Sequence, residues 1–133
     1  MGRLSERLDV ALRALGTLDE LARKSSLTAV ERDALLQRFE YSLEAVWKAA
    51  QRFLSEVEGI DVGSPNAAIR ASLRVDLLDE QQARDALVMV QDRNLTVHTY
   101  DERLANDIAG RIPAHARVLR SWVDAMAARL SAA

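Results

Sequence analysis

Apolar side chains recur at alternating steps of three and four residues through the middle of the sequence. They occupy positions Leu36, Phe39, Leu43, Val46, Ala50, Phe53 and Val57. Because an α-helix turns once every 3.6 residues, this spacing places all seven on one face of a helix of about eight turns. A face of this length is stable when it is buried against other helices, so it predicts a helical bundle.

Three further stretches repeat the helical spacing, within residues 4–22, 83–90 and 119–130. Glycine and proline are scarce, at five and two, and the alternation typical of strands is absent. We therefore expect an all-α fold, an antiparallel up-and-down helical bundle of four substantial helices with one or two additional short helices. The bundle is expected to form a single domain over residues 1–133.

Short capping patterns predict where individual helices begin. These patterns occur at Thr28 with Glu31, at Ser64 with Pro65, at Asp79, and at Thr99 with Glu102. The last of them predicts a helix that begins at Thr99. Pro113 is expected to start or kink a final segment, because proline cannot donate a backbone hydrogen bond within a helix.

The composition argues against several kinds of site and location. The chain has no cysteine and only two histidines, which lie far apart, so we expect neither a metal site nor a cofactor. The net charge of −2 argues against unspecific coating of nucleic acid, but it leaves room for a small basic cleft. The N-terminus lacks the apolar run of a signal peptide, and no stretch approaches the roughly 20 apolar residues of a membrane span. A cytoplasmic protein without membrane contact is expected.

The stretch DRNLTVHTY, residues 92–100, contains the side chains best suited to catalysis. The capping patterns place Arg93 and Asn94 in the last turn of one helix, His98 just before the next helix, and Tyr100 in its first turn. A break between Arg93 and His98 allows both to point into one cleft, where free N–H groups of the following helix would add positive potential.

These residue types suit the cleavage of a phosphodiester. An arginine binds phosphate oxygens with two parallel N–H groups, and a histidine can move a proton near neutral pH. RNA supplies its own nucleophile, the 2′-hydroxyl. The same residues also fit an ordinary helix junction, in which the arginine meets the helix dipole and the histidine bonds the backbone. His115 is expected to be an ordinary polar residue on a surface-facing helix.

Three blocks of sequence extend this interpretation: RFEYSLEAVWKAAQRFL, SPNAAIRASLRVDLLDE and DRNLTVHTYDE. In their order and spacing they resemble the nucleotidyltransferase substrate-binding protein family, a branch of the HEPN superfamily that is similar to the HepT toxins. The family's motif R-x-x-x-x-H-x-Y corresponds to Arg93, His98 and Tyr100, and Asn94 matches the polar residue that follows the arginine.

The resemblance implies a HEPN ribonuclease toxin that cleaves RNA without a metal ion, with Arg93, His98 and Asn94 as catalytic residues. It also implies a homodimer whose two motifs face one cleft. The implied partner is a minimal nucleotidyltransferase that acts as antitoxin and can transfer AMP to Tyr100. The alternative is a non-catalytic subunit that binds the substrate of a two-component nucleotidyltransferase, and a third possibility is a purely structural partner. The chain itself lacks a nucleotidyltransferase motif, since no paired aspartates follow the Gly-Ser of VGSPN.

Overall fold

The computed structural model describes residues 2–132. Within this range the chain forms α1 (Gly2–Ala22), α2 (Ala29–Glu58), α3 (Pro65–Arg74), α4 (Glu80–Leu95), a 3₁₀ turn (Thr96–His98) and α5 (Glu102–Ala132), and it contains no β-strand. The prediction of an all-α fold is confirmed. None of these helices is both long enough and apolar enough to cross a membrane.

Contacts between the helices establish their directions. The N-terminal part of α2 meets that of α5 where Arg32 donates to Asn106, and their C-terminal parts meet where Arg129 pairs with Glu58. The two helices are therefore parallel. α1 runs antiparallel to α2. Thr17, late in α1, bonds Tyr41 in the first half of α2, whereas Arg3, at the start of α1, lines the same cavity as Arg52 in the last third of α2.

α4 runs against α5, since residue 92 near its end contacts residues 111 and 115 early in α5. The four long helices thus alternate in direction, as predicted for an up-and-down bundle. The short helix α3 packs on α2 and α4. The indole Nε1 of the fully buried Trp122 in α5 donates to Ser72 Oγ of α3 at 3.0 Å.

The predicted caps at the beginning of α2, α3 and α4 are confirmed. Thr28 and Glu31 exchange both hydrogen bonds of a capping box. Ser64 accepts from the backbone N–H of Ala67, and Asp79 forms the corresponding box with Gln82. These bonds satisfy N–H groups that have no partner inside the helix.

The predicted seam of α2 is buried from Leu36 to Phe53, whereas Val57 is exposed in the last turn. α5 continues through Pro113, so the prediction that this proline starts a new segment is wrong. Proline costs the helix one backbone hydrogen bond. The buried residues Ile112 and Ala116 lie on either side of it, and their packing on the core favours a continuous helix.

Candidate functional site

The predicted site lies where α4 ends, and a short hydrogen-bonded turn shapes it. As predicted, Arg93 and Asn94 occupy the last turn of α4. The hydroxyl of Thr96 donates to the carbonyl of Arg93 at 2.6 Å, and the hydroxyl of Thr99 donates to the carbonyl of Thr96 at 2.8 Å. These bonds use carbonyls left free at the helix end and fold the chain into the 3₁₀ turn that carries His98.

The predicted capping box of Thr99 and Glu102 is wrong. The Thr99 backbone is not extended, as an N-cap requires, and its hydroxyl is engaged with the preceding turn. Asp101 takes the capping role instead, because its Oδ1 accepts from the N–H groups of Arg103 and Leu104 at 3.0 and 3.2 Å. The N–H groups expected to add positive potential are therefore already paired with a carboxylate.

Tyr100 consequently precedes α5 instead of lying in its first turn, and 83% of its surface is exposed. Its hydroxyl oxygen lies 3.4 Å from His98 Nδ1, and the two rings meet edge to face with their centroids 5.9 Å apart. His98 is exposed as well. The two side chains form a small polar patch that is exposed to solvent.

Arg93 faces α2 and is half-buried. Its Nη1 lies 3.9 Å from Oε2 of Glu44, and the same oxygen accepts a hydrogen bond of 2.9 Å from Trp47 Nε1. Nε of Arg93 is buried and has no hydrogen-bond partner within residues 2–132. The arginine is thus held beside a carboxylate with part of its hydrogen-bonding capacity unused.

The structure brings some of the predicted site residues together and keeps others apart. His98 contacts Tyr100, and Arg93 contacts Glu44, but no hydrogen bond joins Arg93 to His98 in the described part of the chain. Asn94 is exposed beside Arg93 on the last turn of α4. One copy of the chain therefore supplies the residues of the motif as two separate groups.

An ionic cluster next to the motif, with two of its three side chains buried, is absent from the sequence-based prediction. Asp92 accepts hydrogen bonds of 2.9 and 2.8 Å from Nε and Nη2 of Arg111, and it lies 2.7 Å from His115 Nε2. His115 is buried and stacks on Phe39 at 5.4 Å between ring centroids. The prediction of a surface-facing His115 is therefore wrong. Its spacing gave a signal, because it continues the apolar stripe of Ile108 and Ile112.

The cluster also changes the acidity of Asp92. Burial on its own would raise the pKa of this carboxyl, but the hydrogen bonds and charges of Arg111 and His115 outweigh burial and lower it. The cluster attaches the last turn of α4 to α5 and keeps a negative charge at the residue that directly precedes Arg93. Within residues 2–132, no three carboxylate, histidine or cysteine side chains lie close enough to hold a metal ion.

The sequence matches the model of a family described as nucleotidyltransferase substrate binding protein like, over residues 5–128. The chain belongs to this family. No curated protein sequence matches it. The family assignment agrees with the resemblance seen in the three sequence blocks, and it covers all the residues of the candidate site.

Solved structures with the same fold include a protein of Thermus thermophilus that is 49% identical to this chain. It has a TM-score of 0.85, and the match covers 87% of this chain and 98% of that one. A mutant toxin–antitoxin complex of MntA and HepT matches with 14% identity, a TM-score of 0.78, and coverage of 96% and 99%. The tri-AMPylated HEPN toxin of Shewanella oneidensis, in complex with its MNT antitoxin, matches with 15% identity, a TM-score of 0.76, and coverage of 94% and 96%. With the two toxins this family member shares the HEPN fold.

The cluster leads to a prediction about stability and pH. Asp92→Asn leaves Arg111 without its counter-charge, and we expect a loss of about 2–3 kcal/mol in the free energy of unfolding at pH 7. The loss should stay below that for a fully buried pair because the Arg111 side chain is 45% exposed and can be hydrated. A lowered carboxyl pKa stabilises the fold above the pKa of the unfolded chain, and this stabilisation disappears as pH falls through the folded value.

As pH decreases from about 5 to 2, the free energy of unfolding should therefore fall less for the variant than for the wild type. Urea unfolding at several pH values measures both effects. Asp124→Asn is the matched control, since Asp124 is exposed on α5 and has no ion pair within residues 2–132. Equal stability of the two variants at pH 7 would contradict a structural role for the cluster.

Proposed function

We propose that this chain is a HEPN ribonuclease toxin that cleaves RNA without a metal ion and is neutralised by a partner minimal nucleotidyltransferase. The observation that carries the proposal is the complete motif of Arg93, His98 and Tyr100 at the end of α4, with His98 and Tyr100 open to solvent. The shared fold with HEPN toxins supports it. RNA provides the attacking 2′-hydroxyl, so the reaction needs a proton carrier and a group that stabilises the phosphate.

Each residue of the motif then has a distinct role. His98 takes the proton from the 2′-hydroxyl or returns one to the leaving 5′-oxygen. Arg93 binds the scissile phosphate and stabilises the charge that grows on it. Asn94 orients the substrate. The arginine is suited to this role because Glu44, whose Oε2 lies 3.9 Å from Nη1, holds it loosely enough for a phosphate to replace the carboxylate.

The separation of Arg93 from His98 in one chain favours a site completed by a second copy. A partly apolar groove of about 350 Å³ lies between α4 and α5, where Val88, Ala114 and Val118 line it together with the charged Asp85 and Arg111. We call it the α4–α5 surface. It lies along the helix that carries Arg93. Burial of this surface in a homodimer would bring the two copies of residues 93–100 close together.

If the α4–α5 surface forms the dimer interface, a charge introduced there should disrupt the dimer. Val88→Glu places a carboxylate in the proposed interface, where its desolvation is unfavourable. The mass measured by light scattering should fall from twice 14.8 kDa to 14.8 kDa. Val30→Glu is the control, because Val30 is 80% exposed at the start of α2. A wild-type chain that is monomeric at all concentrations would refute the dimer.

Catalysis is tested by substitution of the motif. His98→Ala and Arg93→Ala should each reduce RNA cleavage by about 10²–10⁴-fold, because each removes a proton carrier or a phosphate ligand. Cleavage should persist with a metal chelator and leave a 2′,3′-cyclic phosphate. Arg84→Ala, at the exposed beginning of α4, should cleave normally. Circular dichroism confirms that the variants remain folded.

The family's description provides the alternative, a subunit that binds the substrate of a two-component nucleotidyltransferase. If the wild-type chain, freed of its partner, is harmless on expression and cleaves no RNA, the ribonuclease proposal fails and this alternative replaces it.

Tyr100 is the proposed point of control. Its exposed hydroxyl would attack the α-phosphorus of ATP on the partner enzyme, forming a bond to AMP while pyrophosphate leaves. His98 Nδ1, at 3.4 Å, is placed to accept the phenolic proton. Each AMP adds a nucleoside and one negative charge beside His98, which would block the approach of RNA both sterically and electrostatically.

The chain has two tyrosines, which allows a matched comparison. Co-expression with the neighbouring nucleotidyltransferase should add AMP units to the intact mass, located at Tyr100. Tyr100→Phe should abolish the addition and keep the chain toxic, whereas Tyr41→Phe should change neither, because the Tyr41 hydroxyl is bonded to Thr17 at 2.6 Å. An unmodified Tyr100 in a fully neutralised complex would exclude control by AMP transfer.

A further inference from the structure

A basic groove runs along the seam between α1 and α2. It consists of two adjoining cavities, of about 350 and 270 Å³, that share Arg7 and Arg52. Arg3 lines the first and Lys48 the second. We call it the α1–α2 groove. It places four cationic side chains in a chain whose net charge is −2, so positive charge is concentrated there.

Most of this charge is not neutralised. Within residues 2–132, Arg3, Arg7 and Lys48 have no carboxylate within 4.0 Å, and Arg52 has only the weak pair with Glu56 at 3.8 Å. Two acidic residues, Glu6 and Asp61, line the cavities without pairing with these three cations. The lining residues carry four positive and two negative charges, and Glu56, which pairs with Arg52, reduces the excess to one positive charge. Unpaired cations on two rigid helices form a preorganised site for anions.

The groove is longer than a single phosphate. Along α2 it extends from Ala45 to Ser55, ten residues that span about 15 Å at 1.5 Å per residue. Gln51 and Ser55 add neutral polar groups between the cations. The lining lacks the aromatic anchors that characterise stable protein interfaces. A flexible polyanion therefore fits it better than a protein surface does.

A chain of contacts joins this groove to the candidate site. The ammonium of Lys48 lies 4.6 Å from the ring centroid of Trp47, whose Nε1 donates to Glu44, and Glu44 faces Arg93. Lys48 and Arg52 follow Glu44 by one and two helical turns, about 6 and 12 Å along α2. An RNA strand with one phosphate on Arg93 would continue naturally into the groove.

We propose that the α1–α2 groove binds the phosphate backbone of single-stranded RNA and leads it towards Arg93. The proposal rests on the proposed function for the identity of the polyanion. A flexible single strand can follow a groove between two packed helices. The bound strand would be read through its charge and not its sequence, since the lining offers cations for phosphates and few groups suited to base edges.

Binding without cleavage tests the groove separately from catalysis. The full chain carrying His98→Ala is added stepwise to a labelled oligouridine of about 12 nucleotides, and binding is followed by the fluorescence anisotropy of the label. Adding Arg7→Ala and Lys48→Ala should weaken binding roughly tenfold and reduce the slope of log affinity against log salt by about 1.4, two contacts at 0.7 each. A second basic groove, between α1 and α5, provides the control. Its charged lining residues are Asp19, Arg23, Arg117 and Arg120. Arg23→Ala with Arg117→Ala there should change the affinity less than about twofold.

The outcomes separate the possibilities. Equal weakening by both pairs would mean unspecific attraction and would overturn the proposal, as would no effect of the Arg7 and Lys48 pair. If that pair leaves RNA binding intact but prevents co-purification with the nucleotidyltransferase, the groove docks the protein partner instead. Failure of the proposed function looks different: the wild-type chain would cleave no RNA although the His98→Ala chain still binds the oligonucleotide through the groove.

Discussion

The packing of the α2 seam between α1 and α5 sets the position of every other element. The apolar faces of α2 and α5 are buried along most of their length, and the contacts at both ends show that the two helices run in the same direction. α4 therefore returns in the opposite direction. Its last turn arrives between them, where Asp92 meets α5 and Arg93 meets α2. The geometry of the candidate site thus follows from core packing.

Two neighbouring residues at that turn carry opposite charges in different surroundings. Asp92 is buried, fully paired, and ionised because Arg111 and His115 bond it. Arg93 is half-buried and loosely paired with Glu44. An ion pair whose hydrogen bonds are all formed stabilises the fold, whereas a cation with unused hydrogen-bond donors can still bind an anion. This contrast supports a structural role for the first residue and a binding role for the second.

Much of the fold could be predicted because its determinants are local. Helical spacing and the caps at Thr28, Ser64 and Asp79 depend on residues a few positions apart. The start of α5 was mispredicted because Asp101, inside the Thr99–Glu102 pattern, caps the helix itself. It accepts from the N–H groups of Arg103 and Leu104, so the helix begins later than predicted. Contacts between residues of different helices are harder to predict from the sequence. The spacing of His115 fits the apolar stripe, but its partner is 23 positions away, and no local pattern pairs His115 with Asp92 or Arg93 with Glu44.

The two-sided attachment of the last turn of α4 has a consequence for sequence divergence. Consecutive helical residues point about 100° apart, so a bond from Asp92 to α5 also fixes the rotation at which Arg93 leaves the helix. Arg111 and His115 serve this bond from one helix, two side chains acting on one carboxylate. Loss of Asp92 would leave Arg111 without its carboxylate partner, so a neutral residue at position 111 would then be favoured. The three positions should therefore diverge as a unit, and their joint presence in a relative would mark a chain whose motif arginine is aimed in the same direction.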